Sequence, residues 1–114
     1  MLDERRLSRV IAKMTTDCLL ITDPVSIAYL CGKKIEPGER FLGLLIGKGI
    51  NPVLILNQLF RFSDEIGVKV EYYKDTDTIT NIISQFIDKN SSLGVDKIMP
   101  ARFLIPMMEA KIAA

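Results

Sequence analysis

LGLLIGKGINPVLIL, residues 42–56, consists of two apolar runs joined by Gly47-Lys48-Gly49-Ile50-Asn51-Pro52. Each run is too short for a helix and too continuous for a strand with one wet face. Both therefore read as strands covered on two sides. So short a link with two glycines makes a hairpin, and the strands run antiparallel. Pro52 has no N–H to give to a ladder, which predicts that the second strand lies at a sheet edge.

Upstream, CLLIT (18–22) is another continuous apolar run and reads as a third buried strand. Before it, Leu7, Val10, Ile11 and Met14 recur at helical spacing behind Asp3, a capping residue. After it, Asp23-Pro24 opens a short helix with Ile27, Ala28, Tyr29 and Leu30, which Gly32 closes. Downstream of the hairpin, Asn57 is placed to cap a helix with Leu59, Phe62 and Ile66 that stops at Gly67. VKVEYY (68–73) alternates, as a strand with one less buried face does. Asp77 then caps a helix carrying Ile79, Ile82, Ile83, Phe86 and Ile87, and LGV (93–95) is a last short strand. PARFLIPMMEAKIAA (100–114) closes the chain as an apolar helical segment interrupted by Pro106. Helices alternate with strands throughout, so the expected architecture is α/β, with helices on both faces of a mixed sheet.

One segment does not fit a core. KKIEPGERF (33–41) crowds Lys33, Lys34, Glu36, Glu39 and Arg40 around Pro37-Gly38, between the second helix and the hairpin. Its charges offer little apolar burial to offset ordering, and such loops are where scaffolds place functional groups.

At 114 residues and a net charge of +1, the chain is one domain with no electrostatic leaning toward nucleic acid or an anionic membrane. No apolar run reaches the roughly 18 residues that span a bilayer. MLDERRL lacks the pattern of a signal peptide, so the expectation is a cytoplasmic protein. There is no histidine. That removes the usual serine and cysteine triads and His-ligated zinc. Cys18 and Cys31 read as small buried hydrophobes. The carboxylates, including Asp17, Asp23, Asp64, Asp75, Asp77 and Asp96, fall at caps, loops and hairpin ends. Capping and solvation explain most of them, and none forms a two-metal pattern. No phosphate-binding glycine loop is present, because the hairpin glycines do not lie between a strand and a helix.

The ordered set Leu20-Ile21-Thr22, Tyr29-Leu30-Cys31-Gly32, Arg40, and Leu44-Leu45-Ile46 with Val53 to Leu56 resembles the N-terminal domain of the creatinase, prolidase and aminopeptidase P family. The resemblance extends through GVKVEYYKD and LGVD, and so over essentially the whole chain. Two positions depart from the family's habit: Thr15-Thr16-Asp17 where a glycine is common, and Lys33 where an aromatic is frequent. The resemblance implies a three-layer α/β/α, ribonuclease-H-like domain. Its five-stranded mixed sheet would have order 3-2-1-4-5, with one strand, the second, antiparallel to the rest.

The resemblance also implies a role. Catalysis in that family belongs to a C-terminal domain with two divalent metal ions, so this chain is expected to hold no catalytic residue and no metal. It would be the non-catalytic N-terminal domain of a proline-specific Xaa-Pro dipeptidase, joined to its own catalytic domain and to a second protomer. Lys33, Lys34, Glu36, Glu39 and Arg40 would then lie near short proline-containing peptides entering the partner's site. A stand-alone module binding a small ligand or a protein is the alternative. A nuclease on the same sheet is disfavoured, since CLLIT offers no acidic side chain.

Overall fold

The computed structural model describes residues 1–110, so the last four residues of the final apolar segment lie outside the described residues. The elements run α1 (Glu4–Lys13), β1 (Cys18–Ile21), α2 (Pro24–Cys31), β2 (Leu42–Gly47), β3 (Val53–Asn57), a 3-10 turn (Gln58–Phe60), β4 (Lys69–Tyr73), α3 (Ile79–Ser84), β5 (Leu93–Val95) and α4 (Ala101–Glu109).

Five strands form one sheet in the order β4-β3-β2-β1-β5. The hairpin is antiparallel, with Leu42 opposite Leu56 and Leu44 opposite Leu54. β1 also pairs antiparallel with β2, while β1–β5 and β3–β4 are parallel. Thus β2 alone runs against the other four, as expected. Side-chain alternation along the strands builds two cores. Leu42, Leu44, Ile46, Leu54 and Leu56 face α1 and α2, which supply Leu7, Ile27, Leu30 and Cys31. On the opposite face, Leu20, Leu45, Val53 and Ile55 pack with Ile83 of α3 and Met107 of α4. The result is a three-layer α/β/α sandwich, and both cysteines are buried.

The strand order differs from the expected 3-2-1-4-5. β3 is an interior strand, and every residue from Val53 to Asn57 is buried. Pro52 stands one place before the first strand residue, where its missing N–H interrupts no ladder. The edge belongs to β4, which is exposed at its first residue, Lys69, and buried at its last, Tyr73.

Two helical expectations are also corrected. Asn57 does cap, accepting from the Leu59 N–H at 3.0 Å. The helix, however, is a single 3-10 turn, followed by irregular chain through residue 68. That chain must return to start β4 parallel to β3, and it packs Ile66 and Val68 into the α1/α2 core. The later helix has its cap one residue past the expected Asp77 and ends at Ser84, so Phe86 and Ile87 lie beyond it. Thr78 occupies the N-cap without a side-chain bond, and Asp77 instead accepts from the Lys74 N–H, closing the turn before it.

The other caps follow the sequence. Asp3 accepts from the N–H groups of Arg5 and Arg6, Asp23 accepts from Val25 N–H, and Gly32 ends α2 in the left-handed conformation. Asp96, beyond β5, accepts from the N–H groups of Thr22 and Asp23 and from the Thr22 hydroxyl. That clamp joins the end of β5 to the entry of α2.

Candidate functional site

The charged loop between α2 and β2 lies at the same end of the sheet as the turns after β1, β3, β4 and β5. Its apolar residues are not exposed. Ile35 enters the α1/α2 core and Phe41 the α3/α4 core, with 6% and 2% of their surface accessible. The Phe41 ring meets Phe103 of α4 edge to face at 5.1 Å. Gly43 is required beneath it, because a Cβ there would stand 2.7 Å from the Phe41 ring.

The loop's charges divide into two groups. Lys33 donates to Asp64 at 2.7 Å and sits over the Phe62 ring. Arg40 makes a two-point pair with Asp75, Nε to Oδ1 and Nη2 to Oδ2, each at 3.1 Å. Asp75 also accepts from Asn57 Nδ2 at 2.7 Å, and Asn57 is buried. The Tyr73 hydroxyl donates to the Phe41 carbonyl, and Arg102 of α4 donates to the Glu39 carbonyl.

These bonds set the electrostatics. The Arg40 guanidinium, then the Asn57 amide, hold the Asp75 carboxyl below its ordinary range, and Asp75 in turn raises Arg40. Lys33 lowers Asp64 in the same way. Burial raises the Tyr73 phenol. Lys34, Glu36 and Glu39 form the other group, with exposed side chains; Lys34 and Glu36 approach one another at 3.5 Å.

The five charged residues singled out in the sequence are therefore together on one loop but differently engaged. Lys33 and Arg40 are bound to carboxylates of their own domain, while Lys34, Glu36 and Glu39 are exposed on either side of Pro37-Gly38. The sequence did not reveal the partners Asp64, Asp75 and Arg102, which lie 31, 35 and 63 positions from the groups they hold. Between the loop and the first turn of α4 is a shallow cleft of about 160 Å³, walled by Pro37, Gly38, Arg40, Ile98, Pro100 and Phe103. Among the described residues, no group of three or more His, Cys, Asp or Glu could hold a metal ion. Among them, no helix is long and apolar enough to cross a membrane.

Residues 5–111 match the family model of the creatinase/prolidase N-terminal domain. The chain belongs to that family. Solved structures with the same fold include the creatinase/prolidase N-terminal domain of an X-Pro dipeptidase from Streptococcus pyogenes. It shares 21% identity at a TM-score of 0.79, over 94% of this chain and 88% of that one. A proline dipeptidase from Streptococcus pneumoniae gives 20% identity and a TM-score of 0.80, over 100% and 88%. Dipeptidase PepE from Mycobacterium ulcerans gives 24% and 0.77, over 94% of this chain but 32% of its own. No curated protein matches the sequence. The same fold thus occurs in solved chains ranging from nearly the length of this one to about three times as long.

Proposed function

We propose that this chain is the non-catalytic N-terminal domain of a proline-specific metallopeptidase of the Xaa-Pro dipeptidase type. In that role residues 1–114 form a single domain that takes part in dimerisation and controls substrate access, in a cytoplasmic enzyme. The observation that carries the reading is the family match over residues 5–111. The chain's own chemistry agrees with it. With no histidine in the sequence, and no described cluster of metal-ligating side chains, hydrolysis would fall to a separate catalytic domain holding two divalent metal ions.

The loop supplies the access function. Lys34, Glu36 and Glu39 stand exposed around the tip, while Lys33 and Arg40 are paired with carboxylates at its two ends. Facing a partner's active site, this arrangement would bias entry by charge and length of peptide, acting on selectivity and not on bond breaking.

The reading is tested by assaying Xaa-Pro dipeptides with added divalent metal. The gene product that contains this chain should cleave them, and residues 1–114 alone should not. Cleavage by the purified 114-residue chain, or no cleavage by the whole gene product, overturns it.

A further inference from the structure

Four side chains from three parts of the chain converge on the three residues that precede β2, Asn57 through Asp75 and the others directly. Asn57, at the end of β3 with 1% of its surface accessible, is committed at both amide atoms. Its Oδ1 accepts from the Leu59 N–H and its Nδ2 donates to Asp75. Asp75, just past β4, grips Arg40 with both oxygens. Tyr73 of β4 and Arg102 of α4 take the carbonyls of Phe41 and Glu39. A lone surface ion pair between mobile side chains contributes little. This one differs because its acid is fixed from behind by a buried amide.

We propose that Asp75 is the positioning residue of the loop. Through Asn57 it refers the Arg40 end to the frame of β3 and β4. The Lys33–Asp64 pair and buried Ile35 tie the other end. The Glu36-Pro37-Gly38 tip is thereby presented in one place, so docking against a partner costs less ordering. The consequence for substrate access rests on the function proposed above; the positioning itself does not.

Amide hydrogen exchange by NMR on the 114-residue chain tests it, with two reporters. The Arg40 N–H donates to the Pro37 carbonyl within the loop, and the Leu59 N–H donates to Asn57 on the sheet side. Asp75→Asn keeps the shape and an oxygen for Asn57 Nδ2 but loses the charged grip on Arg40. Exchange at Arg40 should accelerate by about tenfold or more, while Leu59 and the interior amides of Leu44 and Ile55 stay within about twofold. Arg40→Gln should reproduce this pattern, and the double variant should go no further than either single one. Unchanged exchange at Arg40, an additive double variant, or equal acceleration at Arg40, Leu59, Leu44 and Ile55 overturns the proposal. No activity is read, so its failure leaves the peptidase reading standing, and the failure of that reading leaves this result intact.

Discussion

The Tyr73 hydroxyl donates a 2.6 Å hydrogen bond to the Phe41 carbonyl, joining the edge strand to the end of the charged loop across 32 positions of sequence. Both residues are buried, so the bond is hidden from water. Tyr73→Phe keeps the ring and leaves the carbonyl without this donor. It should cost about 1–3 kcal/mol in denaturant unfolding, the penalty for an unpaired buried polar group. Because burial raises the phenol's pKa in the folded chain, its neutral form is favoured there. That contribution is complete below the ordinary tyrosine pKa of 10.0 and is lost as pH rises through the higher folded value. The Phe variant should lack this alkaline loss.

In the α3/α4 core, Ile83 is fully buried, whereas Phe86 lies past the end of α3 and is only partly covered. Ile83→Ala should therefore cost about 2–5 kcal/mol in chemical unfolding. Phe86→Ala should cost less, about 1–3 kcal/mol, despite the larger side chain removed. A reversed ranking would mean that Phe86, not Ile83, holds the helix to the sheet.

How much of this was readable in advance differed by element. Apolar runs identified four strands and polar–apolar alternation the fifth, β4, while Asp3, Asp23 and Gly32 marked helix ends, because those signals are local. Strand order is a tertiary property, and Pro52 carries no edge signal because it stands one residue outside the ladder. The two charges of KVEYY, Lys69 and Glu71, were the better sign, since charged side chains are common on edge strands. At the loop, the charged residues were legible but their engagement was not. Nothing near Arg40 in sequence points to Asp75, and Asn57 advertises a cap while also gripping that carboxylate.

The Arg40–Asp75 pair has a pH signature. Asp75 has its pKa lowered in the folded chain by Arg40 and Asn57, so its contribution to stability is whole above the ordinary value of 3.8. It disappears as pH falls through the lower folded value. A carboxyl carbon NMR titration should find Asp75 ionised below the usual range, and Arg40→Gln should move its midpoint upward. An unmoved midpoint would mean that Arg40 does not hold the carboxylate in solution.

The central claim is that the loop acts on substrate access in an assembled peptidase. The direct measurement is kcat/KM across Xaa-Pro dipeptides with acidic, neutral and basic first residues. It uses the whole gene product and its variants Lys34→Gln, Glu36→Gln and Glu39→Gln, alone and combined. The combined variant should change the preference between acidic and basic substrates by about tenfold, with dimers intact and unfolding stability within about 0.5 kcal/mol of the parent. Identical preference across all variants, with intact dimers, would contradict the account and leave the loop a connector.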